Sequence, residues 1–414
     1  MPFRLTTRLG HPTFMDLPWE QSLETWQEAR LVTPVRGISR HVVRFVAYGS
    51  NIYALKELPQ HVAEREYRLL LELDERLVPV VEAVGVATGR ADARQTPLDA
   101  VLITRHLDFS LPYRALFARA SRQELWNPLL DAMAELLVRL HLAGFFWGDC
   151  SLSNTLFRRD AGELAATLVD AETGEMHPSL SDGQRAHDLQ IAELNVAGEL
   201  LDVAVGAGWE DEVDVAALAE DLIRRYQGLW SELTRAEVMS ASDRHIVEAR
   251  VRRLNDLGFD VAEMVLEPKE EGNRVVMRTA VVEAGHHQRR LLSLTGLDVQ
   301  ENQARRLLND VLGYRAWLED HEGVPIAESV AALRWLVEVF EPALAGVPAD
   351  LTAKLEPAEL FHQILEHRWY LSEARGQPVQ TADAVGSYVV TVLRALPDER
   401  SLLTEASPGE LAPG

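Results

Sequence analysis

Three short runs constrain this 414-residue chain more tightly than its composition does: YALKEL at 53–58, WGDCSLSNTLF at 147–157 and ATLVDAETGE at 166–175. The first alternates as a β-strand, which puts Ala54 and Lys56 on one face and Tyr53 and Leu55 on the other. A small residue two before a lysine leaves a flat surface for a base, with an ammonium beyond it to meet phosphates. Of the 41 basic residues only Lys56, Lys269 and Lys354 are lysines, so a lysine here marks a need for a compact point charge. The helical stretch that follows, QHVAEREYRLLLELDERL, offers a carboxylate to hold that lysine. Glu66 is preferred because Leu69, Leu70 and Leu73 follow it at core-facing spacing, and Glu64 is the reserve.

In the second run Asp149 and Asn154 stand five apart, after a long helical stretch that begins near Ser121 as its N-cap. The spacing resembles that of the kinase catalytic loop, whose aspartate orients or deprotonates an acceptor hydroxyl and whose asparagine lends a neutral oxygen to a metal ion. The third run is β-like and ends in Asp170, placed to hold Mg²⁺ against nucleotide phosphates, with Glu172 two residues on and able to share that metal. Each piece is weak alone, since D-x-x-x-x-N recurs by chance. The weight lies in finding all of them in order, each on the kind of element its chemistry needs.

Around these runs the chain reads as a small β-rich lobe with one helix, a helical lobe, and a helical C-terminal domain with one β-like stretch, NRVVMRTAVVE. The expected divisions are 1–107, with a leading amphipathic helix near PWEQSLETWQEARL, then 108–235, 236–405, and a disordered tail at 406–414. Hydrophobic content of 47% with 25% charged residues suits a chain that buries a real core. A formal charge of −23 argues against a general nucleic-acid binder. One cysteine excludes a disulfide framework and fits a reducing cytoplasm, the expected location. No apolar run reaches eighteen residues and no secretory signal is visible, so no integral membrane contact is expected.

Over about residues 30–205 the sequence resembles the protein-kinase-like superfamily. It is closest to the branch that includes aminoglycoside and choline phosphotransferases and the lipopolysaccharide kinases. GDCSLSNTLF resembles that branch's catalytic loop, and LVDAETGE followed by RAHDLQIAEL resembles its metal-binding and bracing pattern. The resemblance implies an α+β, bilobal fold, with a small antiparallel β lobe and a helical lobe. It implies ATP and Mg²⁺ as cofactors, with Asp170 and Glu172 on the metal and Asp188 bracing the catalytic loop. It also makes ITRHLDF, with Thr104, Arg105, His106 and Leu107, the hinge that meets adenine. VRGISR becomes the phosphate-cradling turn, with Gly37, Ser39 and the neighbouring Arg36 and Arg40. The remainder resembles an uncharacterised domain found fused to lipopolysaccharide-kinase-like domains, a candidate surface for a protein partner. Three departures stand out: Trp147 replaces the loop's usual histidine, the phosphate turn has a single glycine, and no long activation segment follows Asp170.

The expected activity is ATP- and Mg²⁺-dependent phosphoryl transfer to a hydroxyl acceptor of unread identity: sugar, glycan, small molecule or protein. The alternatives are a nucleotide-binding pseudokinase that serves as a regulatory or interaction module, and nucleotidyl transfer on the same fold. Cys150 reads as a small loop residue rather than a nucleophile, because a nucleophile needs a base and a thiolate-favouring site, and His141 on the preceding helix would reach it only by chance. His362 with Glu366 lacks a zinc-protease order. The cluster His286, His287, Arg289, Arg290, Arg305 and Arg306 reads as a charged face before it reads as an anion site.

Overall fold

The computed structural model describes residues 2–33, 40–117, 122–209, 211–235, 237–240, 244–268 and 274–399, of which 122–125, 237–240, 244–249, 261–268 and 274–283 are described by their backbone. The chain folds as two compact units. The first holds the described residues up to 158 together with 166–226, and the second holds 159–165 together with the described residues between 227 and 399.

The first unit opens with a six-stranded antiparallel sheet: β1 (Arg4–Thr7), β2 (Leu31–Val32), β3 (Val43–Tyr48), β4 (Asn51–Leu58), β5 (Ala83–Thr88) and β6 (Ala100–Arg105), in the order β1-β5-β6-β4-β3-β2. The alternation of β4 divides its side chains as the sequence requires. Tyr53 and Leu55 enter an apolar cluster on one face, and Ala54 and Lys56 face a cavity on the other. Between β4 and β5 lies α1 (Gln60–Glu75), whose buried stripe is Ala63, Glu66, Leu69, Leu70 and Leu73. A carboxylate within an apolar stripe must find a cation or a set of donors, because leaving it unpaired costs several kcal/mol.

The leading helix expected near PWEQSLETWQEARL is corrected: this stretch makes a single 3₁₀ turn at Leu23–Thr25. Trp19, Leu23 and Trp26 have helix-like spacing, but they are separate anchors in the cluster on the outer sheet face. Their backbone is committed elsewhere. The Trp19 and Trp26 indoles donate to the carbonyls of Phe14 (2.7 Å) and Gln21 (3.1 Å). The buried Arg90 guanidinium donates to the carbonyls of Trp19 and Gln21, and to Glu57 at 2.7 Å. A helix through this segment would consume the carbonyls that Arg90 needs.

The helical lobe follows: β7 (Ser110–Pro112), α2 (Tyr113–Phe117), α3 (Arg122–Leu142), β8 (Phe145–Phe146), β9 (Thr155–Asp160), β10 (Glu163–Leu168), β11 (Glu175–Met176), α4 (Asp182–Ala207) and the start of α5 (Val215–Thr234). Gly144 ends α3 with φ of +81°, and a Cβ there would lie 2.1 Å from the His177 carbonyl oxygen, so the turn into β8 admits only glycine. A Ser181–Gln184 capping box starts α4 and Gly208 ends it. Ser121, Arg36, Gly37, Ser39 and the tail 406–414 lie outside the described residues.

The second unit is mostly helical, with α6 (Arg244–Asp256), α7 (His286–Thr295), α8 (Glu301–Glu322), α9 (Glu328–Trp335), α10 (Glu341–Ala345), α11 (Pro357–Arg375) and α12 (Thr381–Thr391). Trp335, Phe340 and Phe361 centre its apolar core. It also carries more β-structure than the one expected stretch. β14 (Arg274–Ala284) lies between β12 (Glu237–Ser240) and β13 (Phe259–Pro268) in an antiparallel sheet. β13 hides its alternation in sequence because its register shifts around Glu263, a bulge that breaks the period of two. Among the described residues no helix is long and apolar enough to cross a membrane.

The Arg90 anchor carries a test. Replacing it with methionine takes the cation from Glu57 and the guanidinium donor from the carbonyls of Trp19, Gln21 and Asp99, with an expected loss of about 3 kcal/mol in urea unfolding. A loss below about 0.5 kcal/mol would show that the N-terminal segment does not depend on that guanidinium.

Candidate active site

The two lobes of the first unit enclose a cavity of about 660 Å³, within the usual range for a cofactor site. Ala54, Lys56 and Leu102 line it from the sheet, and Thr104, Arg105, His106 and Leu107 from the connection between lobes. Asp149, Asn154, Leu156, Val169, Asp170 and Glu172 line it from the helical lobe. Thus the cavity gathers every sequence-predicted site residue within the described range except Asp188, which stands behind the loop. At the connection the His106 N–H donates to the Ile52 carbonyl (2.9 Å). Burial holds the His106 imidazole below its ordinary pKa, so it presents a neutral ring beside Phe45.

The Lys56 ammonium sits among three carboxylates. Its Nζ is 2.6 Å from Asp170, 3.2 Å from Glu66 and 3.2 Å from Glu172. Glu64 faces elsewhere, accepting from Gln60 at 2.9 Å. Glu66 also accepts from the Ala171 N–H (3.3 Å), which ties α1 to the loop after β10. His41 lies 3.0 Å from Glu172. Burial alone would lower the Lys56 pKa, but Glu66 and Asp170 outweigh it and hold the ammonium charged. Burial and the nearby Asp170 push Glu66 up, to about 8. Oxygens of Glu66, Asp170 and Glu172 come within 4.8 Å of one another. Even with Glu66 protonated, ionised Asp170 and Glu172 outnumber the one ammonium and leave negative charge in excess. An all-oxygen set with surplus charge suits a hard divalent cation such as Mg²⁺.

The loop 147–154 is held by a comb of side chains on α4. Asp188, wholly buried, accepts from the backbone N–H of Trp147 and of Gly148, each at 2.8 Å, and lies 3.1 Å from His141 Nε2. Asn195 donates to Asp149 Oδ1 (3.2 Å) and to the Cys150 carbonyl (3.0 Å). Glu199 accepts from the N–H groups of Leu152 (2.6 Å) and Ser153 (3.0 Å), and burial raises its pKa. Positions 188, 195 and 199 fall within about 40° of one another on a helical wheel. Asn195 and Glu199 went unread in the sequence, and their only signal was that shared face with Asp188.

The Asn154 amide donates to the Asp149 carbonyl (3.1 Å) and side chain (3.3 Å), and the Asn154 backbone carbonyl accepts from Val169 N–H at 3.0 Å. That last bond sets the asparagine beside the segment bearing Asp170. Arg40 pairs with Asp149 Oδ2 at 2.5 Å. Trp147 is fully buried, and its indole N–H has no partner among the described residues. The loop's backbone is supported instead by Asp188, itself set by His141, whose Nδ1 meets the Tyr226 hydroxyl at 2.7 Å.

The other candidates stay outside this chemistry. Cys150 is fully buried, and burial followed by Asp188 and Glu199 raises its thiol pKa well above the usual value. His286 and Arg289 pair with Asp260, His287 with Glu301 and Arg290 with Glu328, so these side chains are already engaged by carboxylates. Burial lowers the His362 pKa, and neither His362 nor Glu366 joins a metal-like cluster among the described residues.

Residues 43–198 match the lipopolysaccharide kinase (Kdo/WaaP) family. This part of the chain is similar to that family's kinase domain. The match supports a phosphotransferase. Residues 228–393 match a domain of unknown function, DUF4032. Among solved structures, WaaP in complex with acyl carrier protein is 16% identical over 55% of this chain and 99% of its own, with a TM-score of 0.35. An aminoglycoside-3'-phosphotransferase of type VIII is 15% identical over 53% of this chain and 91% of its own, with a TM-score of 0.33. No curated protein matches the chain significantly.

Two outcomes follow from the loop's packing. The raised pKa keeps Cys150 protonated at pH 8, so a thiol reagent should label none of it in the native protein and the chain's single thiol after denaturation. Native labelling at the rate of a free thiol would contradict the burial. Asp188→Asn should lower unfolding stability by about 3 kcal/mol, because an amide meets the loop's N–H groups with a donor of its own. An unchanged unfolding midpoint would remove Asp188 from the loop's support.

Proposed function

We propose that the first unit is an ATP- and Mg²⁺-dependent phosphotransferase that passes a γ-phosphoryl group to a hydroxyl of its acceptor. The observation that carries this is the lysine–carboxylate nest at one wall of a nucleotide-sized cavity, with Asp149 and Asn154 on the facing wall. Lys56 orients the α- and β-phosphates and Glu66 fixes Lys56. Ala54, Leu102 and the 104–107 segment receive the base. Asp170, Asn154 and Glu172 are the residues to hold Mg²⁺, which when bound neutralises charge on the phosphate oxygens. Asp149 orients the acceptor hydroxyl and takes its proton on a carboxylate oxygen, with Asn195 and Asn154 fixing that carboxylate. Most of the acceleration then comes from positioning and charge, since phosphoryl transfer asks little covalent chemistry of the protein.

A second reading has its own observation. The Arg40–Asp149 pair occupies the carboxylate that would receive the hydroxyl, as a nucleotide-binding module without turnover would allow. The two are separated by incubating the full chain with ATP, Mg²⁺ and a panel of sugar, glycan, small-alcohol and protein acceptors. ADP, AMP and covalent phosphate are then followed by mass spectrometry. The first reading expects ADP, reduced about a hundredfold or more in Asp149→Asn and in Asp170→Asn. Tight ATP binding with no ADP for any acceptor supports the second, and AMP transfer would instead assign nucleotidyl chemistry.

A further inference from the structure

The chain leaves the first unit after Arg158 and returns at Ala166, and the seven residues between belong to the second unit. They form the turn of the β9–β10 hairpin. Its two central residues, Ala161 and Gly162, have φ of +55° and +91°. An alanine in the left-handed region persists where its surroundings dictate the backbone. Here the Ala161 N–H donates to the buried carboxylate of Glu359 on α11 at 2.9 Å. The neighbouring Asp160, 2% exposed, accepts from the N–H groups of Asn302 (3.0 Å) and Gln303 (2.7 Å) in the first turn of α8. Two buried carboxylate contacts, one on each side of the turn's start, thus fix it against two helices of the second unit.

The other end of the same hairpin is the candidate site. β9 begins at Thr155, immediately after Asn154, and β10 ends at Leu168, two residues before Asp170. Val169 N–H closes that end on the Asn154 carbonyl at 3.0 Å, and β9 pairs along β7 from Ser110–Arg158 to Pro112–Leu156. A six-residue ladder spans roughly 20 Å, and its paired strands move as one piece. Wherever the turn is held, both strand ends inherit the register.

We infer that the second unit is a positioning element for the phosphoryl-transfer site, acting through Asp160 and Glu359 on the hairpin that joins Asn154 to Asp170. This role rests on the assignment of Asn154 and Asp170 as metal ligands. Asp160 and Glu359 touch no reacting atom; they set where the two ligands stand. The second unit therefore serves the site's metal-binding side, while the base-binding wall is left to the sheet and the 104–107 segment.

The test uses the full chain in three variants: Asp160→Ala, the milder Glu359→Gln, and Trp335→Phe as a control that loosens the second unit's core without touching the turn. Amide hydrogen exchange is followed without ligand, and nucleotide affinity is measured for ATP with Mg²⁺ and for ATP in EDTA. In the first two variants exchange at 154–156 and 168–172 is expected to quicken about tenfold, with β4 and β6 unchanged. Affinity for MgATP is expected to fall about fivefold while metal-free ATP stays within about twofold, a selectivity that general loosening would not produce. Wild-type exchange at 154–156 and 168–172 in either variant, with α8 and α11 still protected, would overturn the inference. Equal quickening across α3 and α4, or the same response from Trp335→Phe, would overturn it too. A wild-type chain that binds no MgATP would count against the phosphotransferase reading alone, and the exchange result would still decide the coupling.

Discussion

One ammonium among three carboxylates organises the first unit. Lys56 comes from β4, Glu66 from α1, and Asp170 and Glu172 from the loop that follows β10, so a single cation joins the sheet, its helix and the facing lobe. Glu66 is wholly buried, and a carboxylate there without Lys56 would carry a large desolvation cost. Removing either partner would leave charge stranded between the lobes. The same arrangement keeps negative charge in excess beside the cavity, which is the electrostatic condition a divalent cation relieves.

The loop 147–154 depends on a different device. α4 reaches it with Asp188, Asn195 and Glu199, and between them these satisfy four backbone N–H groups, one carbonyl and the Asp149 carboxylate. A loop so tied does not need the histidine that Trp147 replaces. The indole fills core volume, and backbone support passes to Asp188, with His141 behind it. Rigid elements carry the site, and the exposed Arg40 at the cavity mouth is the cation that meets Asp149.

Much of this was legible in the sequence because the chemistry sits on regular elements. Strand alternation separated Ala54 and Lys56 from Tyr53 and Leu55. Helical spacing singled out Glu66 over Glu64, and chain order put Asp149, Asn154 and Asp170 on consecutive parts of one lobe. What stayed hidden depends on tertiary partners. Asn195 and Glu199 look like solvated helix positions until the loop is placed against them. Trp19, Leu23 and Trp26 have the spacing of an amphipathic helix, yet the Trp19 and Gln21 carbonyls go to Arg90 and the two indoles to carbonyls of the loop itself. A bulge disguised β13. Nothing local in RRDAGEL announced that its centre would be gripped by helices that begin well over a hundred residues later.

The central claim is that the Lys56 nest, together with Asn154, is where a metal-bound nucleotide sits. Crystals of the full chain grown with a non-hydrolysable ATP analogue and Mn²⁺ in place of Mg²⁺ would test it through the manganese anomalous signal. The account predicts a peak within coordination distance of Asp170 and Asn154, with the analogue's phosphates facing Lys56. Nucleotide bound in the cavity with no metal at those residues, or metal and nucleotide bound elsewhere on the chain, would contradict it.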